Sequence, residues 1–318
     1  MQDYLKGAIT ALALTFGLGA QTAPAQSQAW TPDGPIKMVI AFNAGGGADT
    51  HARLVAEDLQ EALGWQVIPE QITGKGGLNA LVALRDMPAD GTAIALVVAE
   101  TLGYNARAAQ SAGIKPADFT PLTTTAGFQM GIVAKADRGW TDLGDVLAAA
   151  KAGEAIRFGV MSPKLADLAY VIGAANGVEF NIVEVQGGSA TLDGVIAGDM
   201  DISFVAGAQG KAVASGQLVN LASALSEPLK QTPEAPLISE YNVAFDADGY
   251  FLFVAPAGLP EDARAALSTA IADATANGKA AGMIARAFGG HVNIMGAELE
   301  ALLQAEYDAA GELMEASQ

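Results

Sequence analysis

The chain has 318 residues, a formal net charge of −18, 51% hydrophobic residues and no cysteine. This composition excludes a disordered, fibrous or disulfide-stapled protein and predicts a soluble globular one, whose length favours two domains. The excess of carboxylates disfavours nucleic acid as a partner, because the summed negative field repels phosphate backbones. The absence of cysteine also excludes thiol nucleophiles, thiolate zinc sites and iron–sulfur clusters.

The N-terminus has the pattern of a secretory signal peptide. Lys6 gives a weakly positive start, the apolar stretch Gly7–Ala20 follows, and the small residues of Ala23–Ala25 form a cleavage site. A transmembrane anchor needs about 20 apolar residues, and this stretch is shorter. We therefore expect residues 1–25 to be removed, with cleavage as late as residue 29 as the alternative, and the mature protein to reach the periplasm. It has no cysteine to acylate, so it is not expected to be a lipoprotein.

The mature chain alternates short apolar runs with helical patterns. Ile36–Phe42 predicts a buried strand, a helix capped by Asp49 or Thr50 extends to Leu63, and Gln66–Ile68 begins the next strand. Such alternation is typical of α/β folds with mostly parallel sheets covered by helices on both faces. The further predicted elements are helix Gly77–Met87, strand Ala93–Val98, strand Gly131–Ala134, a helix capped by Thr141 that ends near Gly153, strand Ile156–Val160, helix Leu165–Ala174, strand Phe180–Val185, helix Ala190–Ala197 and strand Asp201–Val205.

Prolines mark the point where the chain is expected to cross back to the first domain. Pro228, Pro233 and Pro236 interrupt regular structure, and the apolar strand Tyr250–Val254 follows them. From Glu261 onward the pattern is helical. The apolar face of its last segment is interpreted as packing surface and consists of Leu299, Leu302, Leu303, Ala310, Leu313 and Met314.

Two glycine-rich loops each lie between a predicted strand and a predicted helix. In the first, Asn43–Asp49, backbone N–H groups can converge on an anion at the positive end of the helix dipole. The second is Gly74–Gly77, in which Lys75 is an additional cation. Neither a G-x-G-x-x-G dinucleotide pattern nor a phosphate loop is present, and an ordinary tight turn remains an alternative for the first loop.

Further donors follow strands in the second half of the chain. Ser162 and the segment Gln186–Ser189 occupy strand ends, where open α/β sheets bind ligands, so Ser162, Gly188 and Ser189 are candidate ligand contacts. A role of each serine as a helix N-cap is an equal alternative.

The sequence contains no recognisable catalytic or metal-binding set. The two histidines, His51 and His291, belong to no zinc motif, and Gly187-x-Ser189 lacks the second glycine of a nucleophile elbow. We therefore expect no catalytic residue, no metal and no cofactor.

Several segments together resemble the substrate-binding proteins of tripartite tricarboxylate transporters, the Bug family. They are Pro35–Ile40 with Gly45–Asp49, Gly74–Gly77, Ala89–Thr92, Gly187–Ser189 leading to Gly198–Asp201, and Ala255–Pro260. The resemblance covers nearly the whole mature chain. It implies a two-lobe, periplasmic-binding-protein-like clamshell that closes on a small organic carboxylate and delivers it to integral membrane subunits.

The same resemblance implies which loops contact the ligand. In such proteins the loops after the first two strands hold one carboxylate through backbone amides and ordered waters, which corresponds here to Asn43–Gly47 and Gly74–Gly77. The candidate contacts in these loops are Asn43, Ala44, Gly45, Gly46, Gly47, Asp49, Gly76 and Gly77.

The chain departs from the family pattern where a glycine-rich loop usually follows Ser-Pro. Lys164 and Ala166 replace two glycines, and Asp167 replaces a hydroxyl residue. If Asp167 lines the pocket, it repels a second carboxylate unless Lys164 compensates, and it favours an amine or hydroxyl on the ligand. Orientation of both side chains toward solvent is the alternative. Glu100, Thr101 and Phe128 are weaker candidates for setting ligand size and polarity.

These observations predict an exported, monomeric solute-binding protein, with lobe 1 formed by residues 30–126 plus 250–318 and lobe 2 by residues 127–249. A sensor kinase is an alternative partner to the transporter. The alternative functions are an exported α/β enzyme acting on a small anionic substrate and a ligand-responsive sensor subunit.

Overall fold

A computed structural model describes residues 30–318, and the predicted signal peptide lies outside the described residues. The described chain contains ten strands in two five-stranded sheets. No helix in this part combines the length and apolar character needed to cross a bilayer. The strands are β1 (Ile36–Ile40), β2 (Val67–Gln71), β3 (Ala93–Val98), β4 (Phe119–Gly127), β5 (Met130–Lys135), β6 (Arg157–Val160), β7 (Asn181–Glu184), β8 (Ile202–Ala206), β9 (Leu218–Ser223) and β10 (Tyr250–Pro256).

Helices cover the sheets. They are α1 (Gly47–Leu63), α2 (Leu78–Arg85), α3 (Ala106–Ala108), α4 (Leu143–Lys151), α5 (Pro163–Asn176), α6 (Gly188–Ala197), α7 (Gly210–Ala214), α8 (Glu261–Asn277), α9 (Lys279–Ala287) and α10 (Gly296–Ala316). A π-helical turn, Thr101–Asn105, connects β3 to α3.

The two sheets have corresponding topologies. The first has the order β2-β1-β3-β10-β4, in which β1 pairs parallel with β2 and β3 while β10 is antiparallel to β3 and β4. The second has the order β7-β6-β8-β5-β9, in which β5 is antiparallel to β8 and β9. In each sheet the reversed strand is the one that the chain forms just after arriving from the other sheet.

We call the first sheet with α1, α2, α8, α9 and α10 the first lobe, and the second sheet with α4 to α7 the second lobe. The predicted two-lobe α/β architecture is confirmed, with mixed sheets in which one strand in five is reversed. The predicted lobe boundaries, 30–126 plus 250–318 and 127–249, stay a prediction.

The core of the first lobe lies on both faces of its sheet. Met38 and Ile40 point into one cluster beneath α1, whereas Val39 and Ala41 point into another beneath α2. All four side chains are buried. A strand covered on both faces must be apolar at every position, which explains the continuous hydrophobic run in the sequence.

Two strands, β4 and β9, are not predicted by the sequence pattern. β4 contains Pro121 and three consecutive threonines, which do not look like a buried strand. Pro121 is tolerated because β4 is the last strand of its sheet. The threonine hydroxyls find acceptors, as when Thr124 Oγ1 donates to Val292 O at 2.8 Å. β9 is likewise an edge strand, interrupted by Asn220.

Two predicted helix caps are wrong by a few residues. α1 begins at Gly47 with Gly46 as N-cap, so neither Asp49 nor Thr50 caps it. α4 is capped by Asp142 rather than Thr141, because the Asp142 carboxylate accepts a hydrogen bond from Asp145 N at 3.2 Å.

The second-lobe core depends on stacked aromatic rings. Phe158 and Phe204 are fully buried, with ring centroids 4.7 Å apart.

We expect Phe204→Ala to lower the free energy of unfolding by about 3–5 kcal/mol, since it leaves a cavity between strands. Urea denaturation of the whole protein measures this loss of stability. Ile182→Ala, on the exposed edge strand β7, is the control and is expected to cost under about 1 kcal/mol. Equal stability of the two variants would contradict the assignment.

Candidate functional site

A cavity of about 370 Å³ lies between the carboxyl ends of the two sheets. In the first lobe it is lined by segments that follow β1, β2 and β3, and in the second by segments that follow β6, β7 and β8. Ligands of open α/β sheets bind at this end of the strands. Both lobes therefore contribute to one site.

The first glycine loop joins β1 to α1, and buried Asp49 holds its shape. The Asp49 carboxylate accepts hydrogen bonds from Gly45 N at 2.9 Å and from the side chains of Arg53 and Gln71. Since the Gly45 N–H is used in this way, it is not a donor for a ligand. The N–H of Gly47 lies in the first turn of α1, where no preceding helical carbonyl accepts it, and Gly47 lines the cavity. The loop thus offers a donor at the positive end of the helix dipole.

The second glycine loop, Gly74–Gly77, joins β2 to α2 and has a positive φ at all four residues, including 51° at Lys75. The Gly76 carbonyl accepts hydrogen bonds from Thr101 Oγ1 at 2.8 Å and from Asn105 Nδ2 at 3.1 Å. A Cβ on Gly77 would lie 2.9 Å from Thr101 Oγ1. Glycine is therefore required here, and the loop presents backbone atoms to the cavity.

The end of β3 supports the second loop. The π-helical turn places Thr101 and Asn105 behind Gly76, so the buried Thr101 acts on the loop and does not line the cavity. Glu100 does line it, and its Oε1 accepts a hydrogen bond from Asn105 Nδ2 at 3.2 Å.

The second lobe supplies the opposite side of the cavity. Ser162, Gly188 and Ser189 all line it. Ser162 also caps α5, since its Oγ accepts from Leu165 N at 3.3 Å, so the cap and cavity roles coexist. The two lobes meet at the rim, where Asn43 Nδ2 donates to Gln186 O at 3.0 Å.

An aromatic wall closes the apolar part of the cavity. Phe128, Phe251 and Phe288 are buried, line the cavity and contact one another, with centroids 5.1 Å and 4.5 Å apart for the two pairs that include Phe251. His51 lies behind this wall, 5.8 Å from Phe251. Burial, with a smaller effect of His291, lowers the pKa of His51 to about 3. The ring therefore stays neutral at physiological pH.

Lys164 and Asp167 lie outside the cavity lining. Asp167 accepts a hydrogen bond from the Tyr104 hydroxyl of the first lobe, and Lys164 Nζ lies 3.4 Å from Asp248 O, near the chain crossing. Burial, and then the Asp167 contact, raises the pKa of Tyr104. The Asp167 contact thus joins the two lobes, because α5 begins beside the π-helical turn, whereas Lys164 reaches the segment that precedes β10.

Most of the sequence-predicted site residues line one cavity, and five do not. The five outside are Gly45, Asp49, Thr101, Lys164 and Asp167. Asp49 and Thr101 hold the backbone of the loops, and Gly45 is the loop residue that Asp49 holds. The predicted residues that line the cavity are Asn43, Ala44, Gly46, Gly47, Gly76, Gly77, Glu100, Phe128, Ser162, Gly188 and Ser189. Sequence reasoning missed the apolar lining at Phe42, Met130, Met161, Phe251 and Phe288, for which a buried apolar residue gives no distinguishing signal.

A group of carboxyl groups lies behind the cavity near Glu306 of α10. Burial raises the pKa of Glu306 to about 7; Lys164 opposes this shift, and Glu100, Asp246 and Asp248 reinforce it. Within residues 30–318, no group of three or more potential metal-ligating side chains is arranged to hold a metal ion.

Comparison with known proteins identifies the family. The model of the tripartite tricarboxylate transporter family receptor, TctC, matches residues 51–317. The chain belongs to the TctC family. It is 29% identical over 277 residues to a UPF0065 protein of Bordetella bronchiseptica, and the match covers 82% of this chain and 78% of that relative.

Solved structures share the two-lobe fold of this TctC chain. The periplasmic binding protein BugD is similar with a TM-score of 0.78 and 20% identity, covering 90% of this chain and 98% of BugD. MatC from Rhodopseudomonas palustris, solved with bound malate, is similar with a TM-score of 0.77 and 20% identity, covering 89% and 99% of the two chains.

The first loop leads to a prediction at Gly46. Its backbone is extended (φ −75°), so valine fits the conformation, but a Cβ there points to within 3.3 Å of Ser189 Oγ across the cavity. We expect Gly46→Val to fold and to lose ligand binding, because the side chain blocks approach to the amides. Calorimetric titration measures this, with Gly34→Val, whose Cβ meets open space, as control. Retained affinity in Gly46→Val would contradict the assignment.

Glu306 leads to a prediction about pH. Its pKa rises from 4.5 to about 7 on folding, so between these values the folded chain binds more protons than the unfolded chain. The free energy of unfolding therefore falls as pH rises through this window.

We expect Glu306→Gln to remove this contribution, so that its stability falls less than that of the wild type between pH 5 and 8, by on the order of 2 kcal/mol. Urea denaturation at both pH values measures it, with Glu312→Gln, an exposed glutamate of α10, as control. Parallel pH profiles of Glu306→Gln and the wild type would show that Glu306 titrates normally.

Proposed function

We propose that this chain is an exported, periplasmic solute-binding protein. It captures a small organic carboxylate between its lobes and delivers it to the integral membrane subunits of a tripartite tricarboxylate-type transporter. Membership of the TctC family supports the receptor role, and the malate bound by MatC, a structurally similar protein, supports a carboxylate ligand.

The observation that carries the proposal is the cavity between the lobes. Two glycine loops and the N-terminus of α1 present backbone to it from one side, and Ser162, Gly188 and Ser189 face it from the other. A ligand that contacts both sides stabilises the closed arrangement relative to the open one. Closure would then signal occupancy to the membrane partner by a population shift.

A binding role, rather than catalysis, agrees with the chemistry of the lining. His51 lies behind the aromatic wall, and both of its ring nitrogens are buried without a hydrogen-bond partner among residues 30–318. A neutral, enclosed imidazole cannot exchange protons with a substrate in the cavity. Glycine backbone, serine hydroxyls and aromatic rings recognise a ligand without reacting with it.

The test is a thermal-shift and calorimetric screen of the protein against mono-, di- and tricarboxylates, amino acids, aromatic acids and phosphorylated metabolites. We expect saturable binding of one carboxylate class, with a stabilisation of about 2.7 kcal/mol at 100 times the dissociation constant. The ligand must be recovered unchanged. Turnover of the bound acid, or a response to phosphorylated compounds alone, would contradict the proposal and favour an exported enzyme.

A further inference from the structure

The cavity contains one buried charged side chain, and that charge is negative. Among its lining residues, the fully charged side chains are Lys75, Glu100 and Asp193. Lys75 and Asp193 are exposed at the cavity mouth, whereas Glu100 is only 7% exposed. A cavity for an anion therefore encloses a carboxylate of its own and no buried cation.

Glu100 lies directly beside the second glycine loop. The side-chain amide of Asn105 donates both to Glu100 Oε1, at 3.2 Å, and to the Gly76 carbonyl, at 3.1 Å. One amide group thus separates the carboxylate from the loop. The other oxygen, Oε2, makes no hydrogen bond to any residue of the described chain, although Glu100 lines the cavity. The free oxygen of Glu100 and the backbone of the second glycine loop are therefore close neighbours.

Much of the remaining surface of the cavity is apolar. Phe128, Met130, Phe251 and Phe288 are each less than 10% exposed, and all of them line it. Inside the cavity, a second ligand carboxylate would meet this wall, Glu100 or the neutral donors Ser162 and Ser189, and none of these supplies a balancing positive charge. An apolar monocarboxylic acid without an ammonium group would pack against the wall. It would leave Glu100 desolvated and unpaired when the lobes close.

We infer that the ligand is a zwitterionic amino acid with an apolar side chain. Its carboxylate lies on the backbone of the two glycine loops, its ammonium donates to Glu100 Oε2, and its side chain contacts Phe128, Phe251 and Phe288. The opposite charges of an α-amino acid are adjacent, as are the glycine loop and Glu100. This inference rests on the proposed binding function and names its substrate class.

The test compares ligands that differ only in the ammonium group. Calorimetric titration of the wild-type protein with L-phenylalanine and 3-phenylpropanoate, and with L-leucine and 4-methylpentanoate, isolates that group. We expect the amino acid of the preferred pair to bind at least tenfold more tightly, as charged hydrogen bonds of this kind allow. Adipate, a dicarboxylate, is expected to bind more weakly than either amino acid.

The matched variant is Glu100→Gln, which keeps the side-chain size and removes the charge. We expect it to lose at least tenfold in affinity for the preferred amino acid while its affinity for the deamino acid stays equal or rises. Glu312→Gln, an exposed glutamate outside the cavity, is expected to bind both ligands as the wild type does. The wild-type ligand pairs test the inference even if Glu100→Gln is unstable.

The outcomes separate this inference from the proposed function. If the deamino acids or adipate bind as tightly as the amino acids, or if Glu100→Gln leaves the preference unchanged, the role of Glu100 is wrong and the carboxylate-binding function stands. If no carboxylate of any class binds, both are wrong.

Discussion

The binding site depends on buried side chains that fix the glycine loops from behind. Asp49 holds Gly45, while Thr101 and Asn105 hold the Gly76 carbonyl. A glycine loop that is free in solution would lose conformational entropy on binding, and that loss would reduce affinity. With the loops already fixed by these hydrogen bonds, the anion binding that we propose for their backbone groups needs no basic side chain.

The topology brings the loops of both lobes to one place. Each sheet places three parallel strand ends toward the cavity, and each receives its reversed strand directly after the chain crosses from the other sheet. The two crossings keep the lobes side by side. The contacts Asn43 to Gln186 and Tyr104 to Asp167 then join them across the cleft and at its base.

Electrostatics divides the site into parts with different roles. The glycine loops and the start of α1 favour negative charge, Glu100 favours positive charge, and the aromatic wall favours neither. Glu100 also acts on Glu306 of α10, whose pKa is raised by burial and, to a smaller extent, by the negative charge of Glu100. The amino acid inferred above matches all three parts, and this match restricts the choice of ligand more than the size of the cavity does.

Local sequence signals were enough to predict several elements of the fold. Continuous apolar runs identified β1, β3 and β10, because strands covered on both faces exclude polar residues, and glycine between a strand and a helix identified both loops. The order of these segments was also enough to indicate the TctC family, which the family match to residues 51–317 shows.

Which side chains meet in the cavity depends on how distant segments pack, and no local pattern predicts it. Phe128, Phe251 and Phe288 are far apart in the chain and look like ordinary core residues, and their shared wall exists because β10 pairs between β3 and β4. Packing likewise placed Asp49 where it holds a loop and kept Lys164 and Asp167 out of the cavity lining. A sequence pattern reports the environment of a residue along its own helix or strand, whereas these contacts depend on how separate elements pack against one another.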